Sequence, residues 1–285
     1  MSSIWMIAKL TLRECLRRKV FLVVPIATLG FLALYGLGNH YAFESVSSRT
    51  RFGGGMVDGR ELAGATLVGL SMFVTLFLVS ALAIFLTFST IRGDTEQGLL
   101  QPVVVRPVAR WGLLVGRFVG ASIVSAVYAS FLYLAAVTIT WVIGGWHPDP
   151  LFPSGLAVVF AAEVVIALSL LGSSVANALP NGIGMFMVYG AGLLAGLLTQ
   201  LGQGLGSPSL ETTGRVASWA LPFEALYQAG LYYLTSSTSG VTRVVVQLGP
   251  LGGAAEGGWT LAAWAVGYIA VVGTIAVAVF ARRDL

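Results

Sequence analysis

The sequence predicts an all-α polytopic membrane protein built as one transmembrane domain, residues 1–285. Of these residues, 56% are hydrophobic and 10% are charged, and the mean hydropathy is +0.87, which lies outside the range of soluble domains. Apolar runs of about 20 residues, long enough to cross a bilayer, recur at six places. They are too long for transmembrane β-strands, which alternate over about ten residues. The predicted spans are 20–38, 66–90, 118–144, 155–176, 182–201 and 259–280.

Basic residues predict the orientation, because the cytoplasmic flanks of spans carry an excess of Lys and Arg. Of the 16 such residues, the larger group is Lys9, Arg13, Arg17, Arg18, Lys19, Arg92, Arg106, Arg110, Arg117, Arg282 and Arg283. The smaller group, on the opposite side, is Arg49, Arg51, Arg60, Arg215 and Arg243. Both termini are therefore predicted to be cytoplasmic. The net charge of +4 follows the membrane edges, so it does not indicate nucleic-acid binding.

Residues 1–19 are predicted to form an amphipathic helix on the membrane surface. Lys9, Arg13 and Arg17 recur every four residues and share one side, while Leu12 and Leu16 lie on another. The alternative is an ordinary basic flank that only fixes the topology.

The segment 91–117 is the most charged part of the chain. Its charged residues are Arg92, Asp94, Glu96, Arg106, Arg110 and Arg117. Such a segment cannot lie in hydrocarbon and must face water, and Pro102 and Pro107 divide it into short pieces. Apolar residues between the charges need covering, which favours a docking element for another protein. The alternative is a solvated loop.

Glu163 is the acidic residue of the predicted fourth span, about 12 Å from its external end at about 1.5 Å per residue. A carboxylate at that depth is a functional candidate by default. The alternative is a hydrogen-bonded residue that stabilises packing against Ser125, Tyr128 or Tyr133 of the neighbouring span. Further polar residues follow toward the cytoplasmic end: Ser169, Ser173, Ser174 and Asn177.

The fifth span follows a short link, 178–181, and contains Gly192-x-x-x-Gly196. Small residues at this spacing let a second helix approach closely, within the chain or across a two-fold axis. With 36 glycines in the chain, chance is the alternative explanation.

Two short helices, 212–220 and 222–234, are predicted within the external segment 202–258, and Pro222 suits the first turn of the second. The second helix has an apolar, aromatic face that is predicted to dip into the outer leaflet. Its residues are Phe223, Leu226, Tyr227, Leu231 and Tyr232. A surface helix with an anchoring role is the alternative. The other external loop, 39–65, is polar.

ATP hydrolysis on a P-loop needs a lysine that follows glycine. The lysines are Lys9 and Lys19, which follow Ala8 and Arg18, so the chain lacks this site. It has no catalytic triad or paired carboxylate motif either, and it is predicted not to be an enzyme. Its energy is expected to come from a partner.

The segment 91–117 resembles the cytoplasmic loop between the second and third spans of ABC-transporter permeases of the six-span, type V exporter class. Span number and order agree along the whole chain, but only this loop is motif-specific. The motif residues are Arg92, Asp94, Glu96, Gly98, Leu100, Arg106, Pro107 and Arg110, followed by Gly116, Arg117 and Gly120.

This resemblance implies a permease subunit in the bacterial plasma membrane, surrounded by lipid and paired with a second permease. Two copies of a separate ATPase subunit would hold ATP and magnesium, and this chain would hold no cofactor. The segment 91–117 would be the coupling helix, which meets the ATPase together with Arg13 and Arg17 of an elbow helix, 1–19. The translocation pathway would include Glu163, Asn177, Gly192 and Gly196. The external gate would include Pro222, Phe223, Glu224 and Tyr227.

The cargo is predicted to be amphipathic or lipid-like, because residues 222–234 are apolar and aromatic and charge within the membrane is scarce. The resemblance to exporters implies that it moves outward. Two alternatives stay open. One is a permease that assists assembly of a periplasmic metalloenzyme or envelope component. The other is an ion-coupled secondary carrier that uses Glu163.

Overall fold

The computed structural model describes residues 20–46, 50–52, 55–57, 59–87, 110–148, 150–236 and 255–282. Six helices in these ranges are long and apolar enough to cross a membrane, which confirms the all-helical, six-span prediction. They are α1 (Val20–Ser45), α2 (Gly59–Thr87), α3 (Arg110–Gly144), α4 (Leu151–Val175), α5 (Ala178–Leu205) and α8 (Gly258–Ala281). Two short helices, α6 (Pro208–Ala220) and α7 (Pro222–Leu234), lie between α5 and α8.

The helices extend beyond the predicted spans, because hydropathy marks only the apolar part of a helix. The predicted loop 39–65 was too long, since α1 continues to Ser45 and α2 begins at Gly59. Between them is a small antiparallel hairpin of β1 (Thr50–Phe52) and β2 (Gly55–Val57), in which Thr50 is paired with Val57.

The predicted link 178–181 was wrong, because α5 already begins at Ala178. Pro180 lies in the first turn, where the missing N–H of proline breaks no helical hydrogen bond. Only residues 176 and 177 separate α4 from α5.

Hydrogen bonds between helices fix their relative directions. Tyr35 and Thr28 of α1 bond Thr140 and Tyr128 of α3 at 2.7 and 2.6 Å, so these two helices run parallel.

A bond of 2.5 Å between Tyr133 and Ser154 joins the late part of α3 to the start of α4. These two helices therefore run in opposite directions, as consecutive membrane spans require.

Helix α4 lies at the centre and packs against α2, α3, α7 and α8. Val158, Val164 and Ile166 are each fully buried, which explains why α4 is apolar around almost its whole circumference.

Helices α6 and α7 form a hairpin that docks on the bundle. Gly206 begins the return in the left-handed conformation, with φ of 61°, which glycine adopts without strain. Helix α6 then runs back along α5 so closely that a Cβ atom on Gly214 would lie 2.8 Å from the carbonyl oxygen of Ala195. Leu221 makes the turn between the two helices, and α7 returns with the bounds that the sequence predicted.

Candidate functional site

The glycine face of α5 receives helix α7 of the same chain. A Cβ atom added at Gly192 would collide with the ring of Phe223. One added at Gly196 would collide with Oε1 of Glu224 and lie 2.9 Å from Nε2 of Gln228. Two predicted pathway residues therefore lie directly against two predicted gate residues. This face is filled from within the chain, and not by a second copy, an alternative that the sequence leaves open.

Aromatic contacts hold the beginning of α7 in place. Phe223 stacks on Tyr189 of α5, with ring centroids 5.6 Å apart and an interplanar angle of 10°. Tyr227 makes an edge contact with Phe73 of α2 at 6.2 Å. Such pairs contribute about 0.5–1.5 kcal/mol each beyond burial of their surface. The start of α7 is thus joined to two different transmembrane helices.

The predicted gate residues Pro222, Phe223, Glu224 and Tyr227 are all buried in the bundle. The aromatic face of α7 therefore packs against protein, and that it dips into the outer leaflet stays a prediction. Only Tyr232 of that face is partly exposed. A single amphipathic helix does not reveal whether its apolar face meets lipid or protein.

Glu224 is buried among groups that do not neutralise its charge. Its side chain is 1% exposed, and Oε1 accepts one long hydrogen bond, 3.4 Å, from Nε2 of Gln228. Oε2 has no hydrogen-bond partner among the described residues, and the same is true of the hydroxyl groups of Tyr189 and Tyr227. Burial raises the pKa of Glu224 to about 8, while the bond from Gln228 lowers it slightly. The carboxyl group is therefore mostly protonated at pH 7.

Tyr227 responds to the same environment. Burial raises the pKa of Tyr227 well above its ordinary value, and the nearby Glu224 and Tyr189 raise it further. The phenol therefore stays neutral, and its hydroxyl group makes no hydrogen bond to Glu224 among the described residues.

A polar cavity of about 240 Å³ lies beside this cluster, where α5, α6, α7 and the start of α8 meet. Gln228 lines it and connects it to Glu224. Ser218 also lines it, and its buried hydroxyl group has no partner among the described residues. A cavity with such unsatisfied polar groups is large enough and polar enough to hold water next to Gln228.

Glu163 lies at the midpoint of α4, about 18 Å from either end of the helix at about 1.5 Å per residue. It is deeper than the predicted 12 Å, because α4 begins at Leu151. Its Oε2 accepts a short hydrogen bond from the hydroxyl group of Ser122 in α3.

For Glu163, the sequence analysis predicted the correct neighbouring span, α3, but not the residue of α3 that forms the hydrogen bond. Tyr128 bonds Thr28 and Tyr133 bonds Ser154, so neither is its partner. Ser125 is buried without a hydrogen-bond partner among the described residues. Helical spacing alone could not separate these candidates from Ser122.

Asn181 is the buried asparagine at the junction of α4 and α5, whereas Asn177 is exposed. Nδ2 of Asn181 donates to the carbonyl oxygen of Ser169 at 3.1 Å, and a Cβ atom on Gly172 would collide with its amide oxygen. The sequence analysis missed Asn181 because it placed this residue in a link. Its position one turn into a helix is the signal that could have revealed it.

The polar series on α4 is satisfied inside the bundle. Thr87 of α2 donates to Ser169 at 2.7 Å, and Ser173 and Ser174 donate to carbonyl oxygens of their own helix. Only the bond between Thr87 and Ser169 joins two helices, whereas Ser173 and Ser174 satisfy their hydroxyl groups within α4.

Most of the predicted coupling residues lie outside the described residues: Arg13, Arg17, Arg92, Asp94, Glu96, Gly98, Leu100, Arg106 and Pro107. The segment 91–117 was predicted to lie wholly between the second and third spans, but its last part belongs to the third span's helix, because α3 begins at Arg110. Leu113 and Leu114 are buried in this first part of α3, which explains why the helix starts before the predicted span.

A six-span helical bundle with a helical hairpin between its fifth and sixth spans defines a polytopic membrane protein. A family model described as "ABC-2 family transporter protein" matches residues 5–285. The chain belongs to this family of ABC-transporter membrane components. No curated protein matches the chain.

Proposed function

We propose that this chain is the permease subunit of an ABC exporter in the bacterial plasma membrane, with both termini in the cytoplasm. Two copies of the chain would work with two copies of a separate ATPase subunit, which binds ATP and magnesium. The cargo would be an amphipathic molecule that moves outward. Family membership supports the role of a permease, and the direction of transport and the cargo are proposals.

One observation carries the exporter assignment: the α6–α7 hairpin closes on the glycine face of α5. Phe223 and Glu224 fill the spaces beside Gly192 and Gly196, near the middle of that span. Opening an outward path beside α5 would require α7 to leave this face. Since interlocking packing has discrete arrangements and does not deform continuously, the hairpin is suited to act as a two-position gate.

Helix α3 is suited to carry force from the segment 91–117 to the middle of the membrane. It runs without interruption for 35 residues from Arg110, about 52 Å at about 1.5 Å per residue. It bonds Glu163 of α4 through Ser122 and α1 through Tyr128. Movement of its first turn by the ATPase would therefore shift several spans together.

Charge reversal in the coupling segment tests this proposal. We expect Asp94→Lys, Glu96→Lys and Arg110→Glu together to abolish co-purification with a candidate ATPase subunit, or to remove its stimulation of ATP hydrolysis. The reason is that the two new basic groups and the one new acidic group would face like charges on the ATPase. The measurements are pull-down from detergent and ATPase rate in liposomes.

The matched control is Glu256→Lys, which reverses an exposed charge near the α6–α7 hairpin, at the predicted external end. It should leave assembly and ATPase stimulation unchanged. Normal assembly and stimulation in the triple variant would exclude the coupling role. Direction is read separately, in vesicles whose ATPase faces outward: an exporter accumulates cargo inside them when ATP is added.

A further inference from the structure

An apolar groove of about 400 Å³ opens between α3, α4 and α8. Its walls include Phe118 of α3, Leu170 of α4 and Ile269 and Gly273 of α8. The described residues that line it carry no charge, and the hydroxyl group of Thr274 is bonded within its own helix. The volume falls within the range of sites that hold drug-sized ligands.

Glu163 and Ser122 lie just beyond one end of this groove. Glu163 precedes the lining residue Ala167 by one turn of α4, and Ser122 follows the lining residue Phe118 by one turn of α3. The pair therefore lies one helical turn, about 5.4 Å along each helix axis, beyond the lining residues. Glu163 is only partly buried, and it lies on the side of α4 that lines the groove one turn further on.

A carboxylate at the centre of a membrane is expensive unless a positive charge or a proton accompanies it. Ser122 supplies one hydrogen bond but no charge. The groove next to it is apolar and large enough for a hydrophobic molecule. A ligand with an apolar body and a positive centre would satisfy both parts of the site at once.

We propose that this groove binds hydrophobic organic cations, with the apolar body between α3, α4 and α8 and the positive centre beside Glu163. This inference rests on the proposed function, because it names the chemical class of the amphipathic cargo. Anionic amphiphiles are disfavoured, because the carboxylate would repel them and the described lining residues include no basic group. A second copy of the chain or a lipid acyl chain would fill the groove without requiring Glu163.

The experiment uses two probes of the same shape and opposite charge, tetraphenylphosphonium and tetraphenylborate. Binding to the full chain in nanodiscs of zwitterionic lipid is measured by equilibrium dialysis, and uptake by empty nanodiscs is subtracted. We expect saturable binding of the cation alone. Glu163→Gln keeps an oxygen that can accept the bond from Ser122 but removes the charge, and should weaken cation binding about tenfold or more, since charges interact strongly at low dielectric.

A second pair of variants tests the groove itself. A Cβ atom at Gly273 or at Gly267 of α8 meets no atom within 4 Å, so both positions accept a larger side chain without a clash there. Gly273 lines the groove, whereas Gly267 is not among its lining residues. Gly273→Leu should fill the groove and abolish cation binding, and Gly267→Leu should leave it unchanged.

Equal cation binding by the parent chain and Glu163→Gln would overturn the inference, and so would equal binding of the two probes. Unchanged cation binding by Gly273→Leu would also overturn it. A parent chain that binds no cation, combined with a Gly273→Leu variant that no longer forms dimers, would show that a second copy of the chain fills the groove, and this result would overturn the inference too. The assay contains no ATPase and no ATP. Its failure is therefore distinct from failure of the proposed function, which would appear as lost assembly or lost ATPase coupling.

Discussion

Replacing Glu224 with glutamine should make the protein more stable at alkaline pH and remove a large part of its pH dependence. In the folded chain, burial raises the pKa of Glu224 to about 8, against an ordinary value of 4.5. The folded state therefore binds this proton more tightly than the unfolded state does. The contribution of this group to stability is therefore fully present below about pH 4.5, is lost as the pH rises toward about 8, and does not change above that value.

The difference of pKa corresponds to up to about 5 kcal/mol of unfolding free energy. The measurement is the thermal unfolding midpoint in detergent from pH 5 to pH 9, for the parent chain and Glu224→Gln. We expect the parent midpoint to fall more steeply with pH, and the variant to exceed it at pH 9. Glu256→Gln, an exposed carboxyl group that lines the neighbouring cavity, is the control and should follow the parent. Parallel profiles for Glu224→Gln and the parent would refute the assigned environment.

The same titration should affect the gate. Glu224 faces Tyr189 of α5 and, on its own helix, Tyr227 and Gln228, and none of these can supply a positive charge. Ionisation above about pH 8 would place an uncompensated carboxylate against Gly196 and loosen α7. Transport by Glu224→Gln should accordingly vary less between pH 7 and pH 9 than transport by the parent.

Gly192→Ala should displace α7 from α5 and lower the thermal unfolding midpoint. The added methyl group would collide with Cζ of Phe223 and lie 3.1 Å from Cε1 of the same ring. Phe223 cannot turn aside easily, because its ring stacks on Tyr189 and is 1% exposed. Overpacking of this kind costs about 1–3 kcal/mol, and Gly196→Ala should behave similarly through Glu224 and Gln228.

Gly190→Ala is the matched control on the same helix, since a Cβ atom there meets no atom within 4 Å. Alanine favours helix over glycine by about 1 kcal/mol, so this variant should be neutral or slightly stabilised. The measurement is the unfolding midpoint of each variant, together with leakage of a small fluorescent dye through reconstituted protein. Equal midpoints for Gly190→Ala and Gly192→Ala would contradict close packing of α7 on α5.

Local sequence patterns were sufficient for the spans and for α7. An apolar run of membrane length has few alternatives to a helix, because every backbone polar group must be satisfied within the segment. The bounds of α7 were predicted correctly because Leu221-Pro222 ends one helix and begins the next. Helix ends were missed where polar residues continue a helix past its apolar part, as in Gly59–Thr87 and at the start of α3.

Contacts between distant segments could not be predicted in this way. Glu163 was recognised from its depth alone, but its partner Ser122 depends on how α3 is rotated against α4. Gly192 was assigned to the predicted translocation pathway and Phe223 to the predicted external gate, with no contact predicted between them. Their contact exists because the α6–α7 hairpin folds back on α5.

By itself the sequence determined six membrane-spanning helices, because every backbone polar group in hydrocarbon must be satisfied within its own segment. That the charged segment 91–117 faces water stays a prediction. The tertiary structure alone decided that α7 packs on the glycine face of α5, that Glu224 is buried with Gln228 as its hydrogen-bond partner among the described residues, and that Glu163 adjoins an apolar groove. These features depend on helix rotation and on the fold-back of α6 and α7, and neither leaves a periodic signal in the sequence.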